Sequence, residues 1–186
     1  FGRLSGAKVY NYGIGGTRIA ASRKELSEPI KNQYFLTRLS RMESEADYVI
    51  VFGGTNDYGH ENAPFGTYKD STNETFCGAL RNLIVALYEK YPLSRIVFVT
   101  PLHREAELTG LTDKGNPVSA RFIEYVHAIR DICEEYSIPV IDLYSKSNIQ
   151  ARTAETKRRL IPDSLHPSDE GYRRIAEIIY NFLTNM

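Results

Sequence analysis

Short apolar runs alternate along the chain with longer segments of helical periodicity. Four runs are dense in Val, Ile, Phe or Tyr, lack strict in/out alternation and end on turn residues: Ala7–Asn11, Asp47–Gly53, Arg95–Thr100 and Pro139–Leu143. That pattern predicts parallel strands covered on both faces. Three helices are predicted between and after them. Thr72–Tyr91 sets Phe76, Leu80, Leu83 and Leu87 on one face, Ser119–Tyr136 sets Phe122, Val126, Ile129 and Cys133, and Ser168–Leu183 sets Tyr172, Ile175, Ile179 and Phe182. Alternating strands and helices predict an α/β layer fold with a parallel sheet and right-handed crossovers. No repeat or low-complexity linker interrupts the pattern, so residues 1–186 read as one domain. Gly53–Ser71 and Pro101–Pro117 are too long for plain connectors. Both follow the carboxyl ends of strands, the edge where open α/β sheets bind ligands.

Composition narrows the function classes. The 186 residues carry 23 Lys+Arg against 23 Asp+Glu, and 42% are hydrophobic, which suits one folded core and argues against disorder. A balanced charge leaves no footprint for nucleic acid. The densest basic run, Lys157-Arg158-Arg159, reads as a solvated helix face. No run approaches the roughly 18 apolar residues of a membrane span. The two cysteines, Cys77 and Cys133, form neither a disulfide framework nor a metal knuckle. Both read as buried thiols, which favours a reducing cytoplasm slightly over a secreted location.

Candidate chemistry gathers at strand ends. Asn11-Tyr12-Gly13-Ile14-Gly15-Gly16-Thr17 follows the first run. It is not a dinucleotide fingerprint, because Arg18 occupies the third glycine position, and no Gly-Lys-Ser/Thr follows to make a P-loop. It can be a plain tight turn, or it can offer a backbone N–H to an anion. Gly53-Gly54-Thr55-Asn56-Asp57-Tyr58 ends the second run. There Asn56 either opens an Asx-turn or aims an amide donor into a crevice. Pro162-Asp163-Ser164-Leu165-His166-Pro167 precedes the last helix. Asp163 can cap a turn, or it can orient the His166 imidazole and leave its other nitrogen as a base.

Taken in order, the three motifs resemble those of the SGNH hydrolases, the GDSL-type lipase/esterase superfamily, over nearly the whole chain. The resemblance implies a three-layer sandwich around a flavodoxin-like parallel sheet of five strands, order 2-1-3-4-5. It implies a serine ester hydrolase acting on a small-molecule ester without a cofactor. His166 would be the general base, Asp163 its orienting carboxylate, and Gly16 and Asn56 the oxyanion-hole donors. The family's nucleophile lies in a Gly-Asp-Ser block at the end of its first strand. That block is absent from these residues; Ser5 and Ser22 lack a nucleophile turn, and Ser164, beside His166 in sequence, would lie on the wrong side of the crevice. The resemblance therefore implies a domain lacking strand 1, the middle strand of the sheet, and N-terminally incomplete by roughly 20–30 residues at ordinary element lengths. Tyr58, His60, His103 and Arg104 either wall the substrate site or are ordinary loop residues, and short-acyl, carbohydrate-linked acetyl esters are the preferred substrates. Two rival readings are a non-catalytic ligand-binding module and a metal-dependent hydrolase using Asp57, His60, Asp163 and His166.

Overall fold

The computed structural model describes residues 1–23, 33–60 and 62–186. Three parallel strands form its sheet in sequence order: β1 (Tyr48–Phe52), β2 (Arg95–Val99) and β3 (Val140–Ile141). The register runs from Tyr48 opposite Arg95 to Phe52 opposite Val99, and Phe98 lies opposite Val140. The strands therefore fall inside the second, third and fourth apolar runs. Seven α-helices are described: α1 (Gly2–Ser5), α2 (Thr55–His60), α3 (Phe76–Lys90), α4 (Phe122–Glu135), α5 (Leu143–Lys146), α6 (Ala154–Leu160) and α7 (Asp169–Thr184).

Successive residues of β2 point to opposite faces and feed two separate cores. Ile96 and Phe98 join the core under α3 and α4, with Leu80, Leu83, Ile84, Phe122, Tyr125 and Ile129. Val97 and Val99 join the core under α6 and α7, with Ile141, Leu160, Ile161 and Ile175. Helix, sheet and helix thus form three layers. Both cysteines are fully buried in the first core, and burial pushes each thiol up to about 12. Tyr172, predicted on the buried face of α7, is exposed, and Ile175 is the first buried apolar residue of that helix. Among the described residues no helix is long and apolar enough to cross a membrane.

Local chemistry sets the helix boundaries. Thr75 caps α3 by accepting from the Gly78 N–H, and Ser168 caps α7 by accepting from the Gly171 N–H at 3.1 Å. A Cβ on Gly171 would collide with the Leu160 carbonyl, so glycine lets the start of α7 rest on the end of α6. Gly6 ends α1 at φ 71°, the left-handed cap expected after a last helical turn.

The segment Ala7–Asn11, predicted as a strand, forms no ladder among the described residues. A strand requires a hydrogen-bonding neighbour, and a groove of about 1270 Å³ separates this segment from β1. Leu83 and Leu87 of α3 line the groove from one helical layer, Tyr180 and Leu183 of α7 from the other. Tyr48, Ile50 and Phe52 of β1, and Val9 and Tyr10 across the groove, are exposed. Among the described residues only one edge of β1 is paired.

Candidate active site

The candidate residues gather at the carboxyl edge of the sheet. The chain leaves β1 through Gly54, whose φ of 104° favours glycine, and enters α2, whose first turn carries Asn56 and Asp57. The Asn56 amide donates to the Thr17 carbonyl at 3.0 Å, which ties its side chain to the residue that follows Gly16. Gly16 itself has φ 73°, in a turn closed by the Thr17 hydroxyl donating to Ile14 O at 2.7 Å. The second amide hydrogen of Asn56 is directed to no acceptor among the described residues.

Asp57 fastens this turn to the glycine loop. Its two oxygens accept from the Ile19 N–H at 3.0 Å and the Ala20 N–H at 2.9 Å, and the carboxyl is fully buried. Burial pushes Asp57 up to about 6, opposed by those two N–H groups and the Arg18 charge. Arg38 holds the same loop from its other side, donating to the Tyr12 carbonyl at 3.3 Å and to the Thr17 hydroxyl.

The second half of the site is the loop before α7. His166 Nδ1 lies 2.7 Å from Asp163 Oδ2, while Asp163 Oδ1 accepts from the backbone N–H of His166 at 2.6 Å and of Leu165 at 2.9 Å. Desolvation pulls the Asp163 carboxyl upward. The His166 backbone, the His166 ring and the Leu165 backbone outweigh it and bring the group to about 2. An ionised carboxylate only accepts, so Nδ1 carries the ring proton and Nε2 faces outward as an acceptor. The His166 side chain is 71% exposed, which leaves that nitrogen accessible.

A strand-end segment joins the halves. Pro101 would meet a Cβ on Gly54 at 3.7 Å, the Arg104 guanidinium donates to the Thr55 carbonyl at 2.8 Å, and the Glu105 N–H donates to Ser164 O at 3.2 Å. This placement revises two of the substrate-loop expectations. Tyr58 is fully buried against Phe122 and Tyr125, with its hydroxyl on Ala106 O, because α2 turns it into the core. Arg104 is buried over the Tyr58 ring and paired with Asp113, so it braces the Asn56 turn instead of lining a crevice. His60 is half-buried, and burial lowers its pKa against the raising influence of Asp113. His103 stays partly exposed.

The proposed metal ligand set does not assemble. Asp57 is turned onto the glycine loop, and among the described residues no three His, Cys, Asp or Glu side chains converge. Sequence reasoning missed the stitching by Asp57 and Arg38. The Asp following Asn56 was the available signal for the first, and no pattern marked the second.

The chain matches the GDSL-like lipase/acylhydrolase family across residues 1–174. A protein of known structure from Lactobacillus plantarum is 30% identical, with a TM-score of 0.80, over 94% of this chain and 80% of that one. A GDSL-like lipase from Bacteroides ovatus is 24% identical, with a TM-score of 0.60, over 92% of this chain and 69% of that one. The acetyl xylan esterase AlAXEase is 22% identical, with a TM-score of 0.51, over 73% and 66%; the likeness to these last two is one of fold. No curated protein matches the chain.

Proposed function

The chain belongs to the GDSL-like lipase/acylhydrolase family, a family of ester hydrolases, and from that premise we propose a Ser-His-Asp mechanism acting on short-acyl esters. The observation that supports this reading is the Asn56–Thr17 bond, which ties a side-chain amide to the loop that carries Gly16. In this proposal the Gly16 N–H and the Asn56 amide receive the oxyanion of a tetrahedral intermediate. At the same edge, Asp163 holds His166 with Nε2 free to take a proton.

In the proposed reaction a serine hydroxyl attacks the ester carbonyl. His166 Nε2 takes the hydroxyl proton as the new C–O bond forms, and the carbonyl oxygen acquires its charge against Gly16 and Asn56. Collapse breaks the bond to the alcohol, which leaves with the proton from His166. Water then repeats the sequence and releases the acid. Asp163 keeps the imidazole in the required tautomer and offsets its transient positive charge.

The attacking serine belongs, in this proposal, to a strand seated in the groove between Ala7–Asn11 and β1. Such a strand would pair with the free edge of β1, cover Ile50 and Phe52, and end at the level of Gly13–Thr17. It would make Ala7–Asn11 an outer strand and complete the order 2-1-3-4-5. Short acyl groups on carbohydrate are the proposed substrates, a choice supported by the fold shared with an acetyl xylan esterase.

Hydrolysis of 4-nitrophenyl acetate, together with labelling by a fluorophosphonate and peptide mapping, tests the reading. Turnover should be lost in His166→Ala, and the label should fall on one serine of the groove strand. Wild-type turnover in His166→Ala, or sensitivity to chelators without any serine label, refutes it.

A further inference from the structure

A second imidazole–carboxylate pair stands at the same sheet edge. His103 Nδ1 lies 2.7 Å from Glu107 Oε1. The carboxylate can only accept, so Nδ1 donates to it and Nε2 is the ring nitrogen left to meet another group. Glu107 is 7% exposed at its side chain, and the same Oε1 accepts from Arg152 at 3.1 Å. Burial pushes the Glu107 carboxyl upward, but the bonds from His103 and Arg152 outweigh it and hold the group below the usual carboxylate range. Tyr144 lies against the imidazole, with ring centroids 3.7 Å apart and planes inclined by 35°.

Carboxylate and aromatic ring together fix the orientation of a side chain that remains 23% exposed. His103 Nε2 makes no hydrogen bond among the described residues. Its position matters as much as its orientation. Pro101 packs at Gly54, Arg104 bonds Thr55 and Glu105 bonds Ser164, so His103 sits on the segment that joins the Asn56 turn to the His166 loop.

We propose that His103 is a substrate-binding residue whose Nε2 hydrogen-bonds a free hydroxyl in the alcohol portion of the ester. The preferred substrate is then a partly acylated sugar or polyol. A hydroxyl can donate to Nε2 or accept from it, so it suits this ring nitrogen in either role. A substrate carboxylate would also meet the charge of Glu107 across one imidazole, while the Arg152 guanidinium is already engaged by that same oxygen. The inference rests on the ester-hydrolase reading and adds the recognition of the alcohol to it.

Two acetates of one sugar separate the possibilities: xylose monoacetate, which keeps free hydroxyls, and xylose tetraacetate, which has none. The ratio of their kcat/KM values is measured for the wild-type protein, His103→Asn and His103→Gln. Asn keeps a donor near Nδ1 for Glu107 but lacks Nε2; Gln places an amide near Nε2 but gives up the Glu107 bond. The monoacetate-to-tetraacetate ratio should fall about tenfold in His103→Asn, mainly through KM, as expected for one lost hydrogen bond to a hydroxyl. His103→Gln should recover part of the difference. A ratio within twofold of wild type in both variants overturns the proposal. Failure of the wild-type protein to hydrolyse either acetate or 4-nitrophenyl acetate overturns the ester-hydrolase reading, and this one with it. Urea midpoints of the variants distinguish lost recognition from lost folding, and whichever variant folds decides the matter.

Discussion

Asp57 offers the sharpest test of how the site is held together. Its carboxyl is fully buried and takes the Ile19 and Ala20 N–H groups, one on each oxygen. Asp57→Ala leaves both donors in the core without an acceptor. Each buried, unpaired backbone group costs about 1–3 kcal/mol, so the expected loss is roughly 2–6 kcal/mol. Asp57→Asn keeps the shape and one acceptor but turns an NH2 toward the second N–H, for a loss of roughly 1–3 kcal/mol. The sign of the pH dependence follows from the raised pKa. Between the ordinary carboxylate value near 4 and the folded value of about 6, the folded protein binds more protons than the unfolded chain at this group. The Asp57 contribution to stability therefore falls as pH rises through that window. An asparagine side chain cannot ionise, so the penalty for Asp57→Asn should be larger at pH 5 than at pH 8. Urea unfolding of wild-type and variant proteins at the two pH values measures both quantities. A loss below about 1 kcal/mol for Asp57→Ala at pH 5, or an Asp57→Asn penalty that grows with pH, refutes the reasoning.

Four further outcomes are expected. Asn56→Ala should lower kcat on the order of 100–1000-fold with a much smaller change in KM, because its amide meets the developing oxyanion more than the substrate; steady-state kinetics on 4-nitrophenyl acetate decide this. Asp163→Asn should lower kcat by about 1000-fold or more through the wrong tautomer of His166, while urea stability changes little at so exposed a position. Gly171→Ala should destabilise the fold by about 1–3 kcal/mol, since its methyl collides with Leu160 O, and should be read from the thermal midpoint. Cys77 and Cys133 should resist a thiol-specific disulfide reagent at pH 8 until the protein unfolds, since both are buried and their thiols are pushed up to about 12.

What was legible in the sequence was what rests on local pattern. The long helices follow from apolar residues spaced by three and four, and β1 and β2 from runs that feed two cores at once. The Asp163–His166 pairing was legible because three residues on a proline-punctuated loop suffice to bring the groups together. The proximity of Asn56 to the glycine loop came through the family resemblance, since 39 residues separate Asn56 from Thr17 and no spacing rule spans that distance. The burial of Tyr58 and Arg104 was illegible for the same reason. A segment that looks like a polar loop becomes the short helix α2, and its turn directs Tyr58 into the core and draws Arg104 over it. The strand expected at Ala7–Asn11 required a neighbour, and local propensity carries no information about neighbours.

The edge of β1 left unpaired among the described residues also has a consequence for handling the protein. Five residues of backbone donors and acceptors, with Tyr48, Ile50 and Phe52 exposed beside them, form a template for any extended chain that meets it. In a preparation where nothing covers that edge, two molecules can join edge to edge, and such pairing propagates into insoluble material. Solubility and a monomeric elution volume are therefore a report on whether the edge is covered, obtained before any substrate is added.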